Sequence, residues 1–284
     1  MKAPPERILT PTALSAMDIV CSVQIPPRPA LLMALQREMA REDPHLKKIA
    51  ELIRRDVAMA GSLLETSNSA FFNFSRPVST VEDAMSLIGM NQCSAVMTGL
   101  ITRKVLASGA MMMPRFWDVS EKRARAMSYM AKEMHVAPPD LAHSFGLFCD
   151  IGIPLLRVHF PAYLQTLAIA NRTAGARFIE AEDARHGVNH VLIGALLAAD
   201  WGIASDVVLA IRMHHAHEVL YDEAIPITAR ALVASNFVVE KAIQEHRGKA
   251  ESEEWVEGGS AAAEALGLSS LDVREMCGQL KSRF

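Results

Sequence analysis

An all-α fold is predicted by three observations. Hydrophobic residues make up 50% of the 284-residue chain and aromatics only 6%; the apolar share rests on Ala, Leu and 16 Met, residues that favour helices and fill the gaps between them. Nearly every segment repeats its apolar residues with the helical period. No strand-type alternation runs beyond four residues outside those segments. The expected architecture is a multi-helix bundle in two lobes.

The elements follow in chain order. In "EDPHLKKIAELIRRD", Asp43 is placed to cap and Pro44 to open a helix whose face carries Leu46, Ile49, Ala50 and Ile53. Its Lys47, Lys48, Arg54 and Arg55 read as a solvated face. Asp56 caps the next helix, with Ala60, Leu63, Leu64 and Ser67 on one side. "STVEDAMSLIG" reads as a capping box from Ser79 to Glu82, with Gly89 as the stop. A further helix is expected from about Gln92 to Ala107. "SGAMMMPRF" breaks the pattern and is taken as the junction of the lobes, its methionines packing between them or offering a contact site. A helix capped by Ser120 follows, then one started by Pro138 and Pro139 that holds "SFGLFCDIGIPLL". "PAYLQTLAIANRT", "RFIEAEDARHG", "HVLIGALLAADWG", "SDVVLAIRMHH" and "PITARALVASNFVVEKAIQEH" all read as helices. "KAESEEWVEGG" reads as a loop, and two short helices finish the chain. The predicted divisions are 1–110, 111–222 and 223–284.

Charge and composition restrict function. A net charge of -3 gives no general support for nucleic-acid binding, which leaves a nucleic-acid regulator as the weakest of three readings. Cys21, Cys93, Cys149 and Cys277 are widely separated, with no zinc-finger or disulfide spacing. The first twenty residues lack a continuous apolar stretch, and no run approaches a membrane helix in length, so a cytoplasmic protein with reduced thiols and no membrane contact is expected.

Ligand-capable residues gather in the second half. Asp150 sits in an apolar run, where a carboxylate needs a partner. His186 and His190 are four apart, although Gly187 between them can break a helix. His214 and His215 are adjacent, so one of them must face inward, and His217 and Glu218 follow. A carboxylate and histidines from separate helices can hold a metal; each can equally serve as a hydrogen-bonded tether. Phosphate-loop, dinucleotide, serine-hydrolase and HExxH motifs are absent. Cys149 lies between apolar residues, which favours an inert thiol over a nucleophile.

Three stretches together resemble the HDOD domain, a regulatory relative of HD-type metal-dependent phosphohydrolases. They are "IPPRPALLMALQRE", the run from Leu52 to Met97 with "NSAFFN" and "SLIG" inside it, and "FGLFCDIG" followed by "HVLIGALLAADWGI" and "IRMHH". The resemblance spans about residues 20 to 217. It implies that the second lobe is HD-like, and that the metal ligands of the related hydrolases fall on Val119, Cys149, Asp150, His190, His214 and His215. Val119 cannot ligate, and Cys149 suits magnesium or manganese poorly. The Gly-Tyr-Pro loop of the cyclic-dinucleotide phosphodiesterases is replaced by "AHEVLYDEAIP". The resemblance therefore implies a non-catalytic signalling module that works by protein–protein contact, with partner proteins or a second copy of itself. No cofactor is expected, although Asp150, His190, His214 and His215 remain as residual ligands for a single divalent metal. The alternative is a metal-dependent phosphohydrolase acting on a nucleotide or cyclic dinucleotide.

Overall fold

The structure, a computed structural model, describes residues 16–107, 113–170, 175–249 and 252–284. It is all-α, with no strand among the described residues. The helices are α1 (Ala16–Ser22), α2 (Ala30–Met39), α3 (Leu46–Arg54), α4 (Val57–Ser67), α5 (Val81–Ile88), α6 (Met90–Leu106), α7 (Pro114–Met134) and α8 (Pro139–Phe148). There follow α9 (Gly152–His159), α10 (Tyr163–Ala170), α11 (Gly175–His186), α12 (His190–Asp200), α13 (Ser205–Met213), α14 (Ile227–His246), α15 (Glu253–Ala265) and α16 (Ser270–Lys281). A short 3-10 turn, His217–Tyr221, joins α13 to the segment before α14.

Several boundaries differ from those predicted. Helix α3 starts at Leu46 rather than Pro44, because the free N–H of His45 donates to Glu38 Oε1 instead of meeting an Asp43 cap. Thr80, not Ser79, caps α5, and Glu82 turns outward to pair with Arg54. Helix α7 starts at Pro114, so Ser120 is a buried mid-helix residue and not a cap. Of the methionine junction, residues 108–112 lie outside the described residues. Of "KAESEEWVEGG", residues 250 and 251 lie outside the described residues, and the part from Glu253 onward is not a loop but the start of α15, capped by Ser252. Its glycines are there for contact, since a Cβ on Gly258 would lie 2.4 Å from Phe237 Cε1. Asp56 does cap α4, accepting from Met59 N, and Gly89 ends α5 with φ of 85°.

Helices α2 to α6 pack on one another, as do α7 to α9 and α12 to α16, and the two sets meet where α6 lies against α8. One continuous apolar core runs through both, from Leu32 and Leu63 to Phe148, Trp201 and Phe237. Side-chain donors lock the N-terminal strap onto the second set: Trp201 Nε1 donates to Pro26 O at 2.9 Å, and Arg28 Nε donates to Asp200 O at 3.0 Å. The stretch Pro139–His159 is long and apolar enough in composition to cross a membrane, a feature the sequence reading overlooked. It is split at residues 149–151, and 67% of its most apolar window is buried in the protein.

Candidate metal centre

Three helix ends bring the polar residues together. Asp150 occupies the turn between α8 and α9. His190 opens α12, whose N-terminus is fixed by the Asn189 side chain accepting from Leu192 N. His214 and His215 follow the last turn of α13. Close approach of α9 to α12 depends on Gly152: a Cβ there would fall 2.1 Å from His190 O. One ligand atom from each of Asp150, His190, His214 and His215 lies within 4.8 Å of all the others.

The tautomers can be read from the outer partners. His190 Nδ1 is 2.7 Å from Glu182 Oε2, His214 Nδ1 is 2.8 Å from Ile211 O, and His215 Nδ1 is 2.8 Å from Glu254 Oε1. Carboxylates and carbonyls only accept, so each Nδ1 carries a proton directed outward and each Nε2 turns inward. His214 Nε2 is 3.3 Å and His190 Nε2 is 3.6 Å from Asp150 Oδ1, while His190 Nε2 and His215 Nε2 are 3.1 Å apart. His214 Nε2 is buried and has no hydrogen-bond partner. Four potential ligand atoms thus converge, an arrangement that suits a positive centre among them. The outer partners match those that orient metal-bound histidines.

Electrostatics around the centre follow from burial and pairing. Burial opposes ionisation of Asp150, but Arg123, His214 and His190 outweigh it and hold the carboxyl well below its usual range. Burial likewise opposes ionisation of Glu182 and Glu254; His190 and His215 pull them down. Burial, with His215 next to it, depresses His214 and keeps it neutral. Arg123, from α7, donates to Asp150 Oδ2 at 2.6 Å and to Glu240 Oε2 at 2.8 Å. A cavity of about 590 Å³ opens onto Asp150, His214 and His215, with Val119 and Arg157 also on its wall.

All four residual ligands are therefore brought together. His186 is not among them: α11 ends there, Gly187 turns with φ of 68°, and His186 Nε2 meets Thr166 Oγ1 at 2.7 Å. His217 also lies outside the cluster, in the 3-10 turn. Cys149 is buried with its thiol pushed well up, first by burial and then by Asp150, and its Sγ lies 4.0 Å from Asn236 Oδ1. Sequence reasoning missed Arg123, Glu182, Glu240 and Glu254. The available signal for Arg123 was its position one helical turn beyond Val119 on an otherwise Ala- and Met-rich face.

Comparison with known proteins agrees with this architecture. An uncharacterised protein of Treponema pallidum (strain Nichols) is 27% identical over 214 residues, 73% of this chain and 41% of that protein. YuxH of Bacillus subtilis (strain 168) is 24% identical over 123 residues, 43% of this chain and 30% of that protein. The chain thus spans less than half the length of these curated relatives. Among solved structures, an HDOD domain protein of unknown function from Geobacter sulfurreducens superposes with a TM-score of 0.71 at 20% identity, covering 94% of this chain and 92% of that one. A candidate signal transduction protein from Marinobacter aquaeolei VT8 gives 0.64 at 18% identity, with 94% and 62% covered. A candidate metal-dependent phosphohydrolase from Shewanella amazonensis SB2B gives 0.62 at 17% identity, with 93% of each chain covered. These likenesses establish the fold. The HDOD domain family profile matches residues 25–217, more than half of the chain, and the protein belongs to that family.

Proposed function

We propose that the protein is a signalling module in which Asp150, His190, His214 and His215 hold one divalent metal, and whose output passes through protein contacts rather than hydrolysis. The observation that carries this reading is the commitment of all three Nδ1 protons to Glu182, Ile211 O and Glu254, which leaves three Nε2 atoms and Asp150 Oδ1 to converge. Three imidazoles and one carboxylate suit a zinc-like ion better than magnesium. When bound, the ion would supply a cross-link between the α8–α9 turn, α12 and α13.

Two features support a non-hydrolytic role. Four protein donors complete the set usual for a structural zinc, whereas a catalytic one keeps a position open. Arg123 holds the second oxygen of Asp150, and Val119 offers no donor, which disfavours a second ion beside the first. The Shewanella and Marinobacter likenesses bear on the two alternatives, hydrolysis and signalling, and the assay is chosen to separate them.

The test is metal analysis of purified protein, thermal melting with and without a chelator, and hydrolysis assays on nucleotide and cyclic-dinucleotide panels with Mg, Mn and Zn. The expected result is about one zinc-like ion per chain, a lower melting temperature after chelation, and no turnover. Turnover abolished by Asp150→Ala would overturn the non-catalytic role. Failure to retain or respond to any divalent ion would overturn the metal site.

A further inference from the structure

The cavity of about 590 Å³ that opens onto the metal centre carries a second set of polar groups, none of them among the four ligands. Arg115 stands in the first turn of α7, and Arg247 and Lys249 follow the last turn of α14. All three are exposed, and none has an ion pair among the described residues. The carboxylates of the same wall are mostly engaged: Asp150 and Glu240 with Arg123, and Glu254 with His215. Glu253 alone lacks such a partner among the described residues, and Arg157 is already engaged. Unpaired charge at the mouth therefore stands at three cations against one carboxylate. Helix α7 adds to this excess. Its first turn has no acidic residue and no side-chain cap, so the positive end of a 21-residue helix lies uncompensated on the same wall.

Cations after a helix C-terminus need no ligand, since they offset the helix dipole. Asn236 points to one. It begins a row, Asn236, Glu240, Gln244 and Arg247, that runs at helical spacing down the cavity face of α14. Asn236 is only 4% exposed. Its Oδ1 lies 4.0 Å from Cys149 Sγ, while its Nδ2 donates to nothing among the described residues. That nitrogen is not sealed in, as Arg123 Nε is; it keeps accessible surface, and the residue lines the cavity. Phe116, Ile153 and Leu167 supply apolar wall around it. A deep donor among apolar side chains is the kind of group that orients a bound molecule.

We propose that this cavity binds a small organic anion, with an acceptor atom meeting Asn236 Nδ2, hydrocarbon against Phe116, Ile153 and Leu167, and the charged group among Arg115, Arg247 and Lys249. Asn236, Arg247 and Lys249 lie beyond residue 217, where the family match ends. The site is thus made by α14 closing on the HDOD domain. An occupant would tie the start of α7 to the end of α14. The proposal does not rest on the metal reading, because its contacts are separate from the four ligands.

The test uses the full chain with a chelator present, which keeps its outcome apart from that of the metal site. The probe is 4-acetylbenzoate, which joins a carboxylate to a neutral carbonyl acceptor; 4-acetylbenzamide is its uncharged control. The Asn236 side-chain amide is followed by ¹H–¹⁵N correlation, its signal identified by its loss in Asn236→Leu. 4-Acetylbenzoate should shift that signal with a dissociation constant on the order of 1 mM, a normal affinity for so few atoms. The benzamide should bind about tenfold more weakly. Arg247→Gln combined with Lys249→Gln should weaken the anion about fivefold and leave benzamide binding and the melting temperature unchanged. Asn236→Leu should weaken both probes about fivefold. 4-Acetylphenyl phosphate separates the two headgroups: tighter binding than the carboxylate supports a phosphate ligand, weaker binding a carboxylate one. An unmoved Asn236 signal, equal binding of the charged and uncharged probes, or full anion affinity in the double variant would each overturn the proposal.

Discussion

His143 should contribute an acid sensitivity that one substitution can isolate. Burial, with Arg125 adding to it, depresses the imidazole from 6.5 to about 3. Above pH 6.5 the ring is neutral in both folded and unfolded chains and contributes no pH dependence. Between pH 6.5 and about 3 the unfolded chain takes up a proton that the folded chain refuses, so stability falls as pH falls. At 1.36 kcal/mol per unit, the penalty at pH 5 is about 2 kcal/mol relative to neutral pH. The charged groups that line the groove beside His143, between α4, α6, α7 and α8, are Asp56, Glu65, Arg103, Lys104, Glu121 and Arg125, and they are common to the protein and its variant. The perturbation is therefore His143→Phe, and the assay is urea unfolding followed by circular dichroism at pH 7.5 and pH 5. The unmodified protein should lose about 2 kcal/mol more than the variant over that interval. At pH 7.5 the variant should be at least as stable, because it discards an unpartnered nitrogen. Parallel losses in the two proteins would refute the assignment of a buried neutral ring.

Three further outcomes follow from the metal centre. Arg123→Met should cost about 3–5 kcal/mol in urea unfolding, since it leaves Asp150 and Glu240 without their shared cation; a loss below about 1 kcal/mol would mean that the pairing is dispensable. Gly152→Ala should cost about 1–3 kcal/mol and weaken zinc retention as well, because the new Cβ strikes the His190 backbone and must displace α12. Glu182→Gln keeps the shape but withdraws the charge that orients His190. Zinc affinity measured by competition with a chromophoric chelator should fall about 10–100-fold, with little change in melting of the chelated protein.

Much of the fold is legible in the sequence because its signals are local. Asp56 and Gly89 act as cap and stop where their neighbours say they should. The failures share one cause, a local signal reinterpreted by a distant contact. Gly258 and Gly259 look like loop residues, yet Gly258 is small because Phe237 of α14 presses on it. Ser120 looks like a cap and is instead a small buried residue inside α7. The four residual ligands were found through a family resemblance, not through spacing; His186 and His190 at the helical interval of four proved to lie on different helices. The outer partners were hidden for a related reason. Arg123 sits in "EKRARAMSYM", where its charge masks the inward register it shares with Val119, and packing of α8 and α14 against α7 buries it. Glu254 fell in a segment read as loop, although it fixes His215 from 39 residues away.

Charge balance explains why the centre needs more than Arg123. Asp150, Glu182, Glu240 and Glu254 bring four carboxylates to one largely buried region. Asp150, Glu182 and Glu254 are held ionised by their surroundings, and Arg123 is the cation paired with both Asp150 and Glu240. A buried surplus of negative charge is costly unless it is matched nearby. Protons on the histidines are a poor remedy, because ionising both His190 and His215 would set two cationic nitrogens 3.1 Å apart. His214 Nε2, meanwhile, faces Asp150 Oδ1 at 3.3 Å. A divalent ion placed among the three Nε2 atoms and Asp150 Oδ1 meets both demands at once. It would supply two positive charges where the carboxylates need them, and an acceptor for every inward lone pair. On the proposed reading, Val119 without a donor and Arg123 on Asp150 Oδ2 would leave this centre room for one ion.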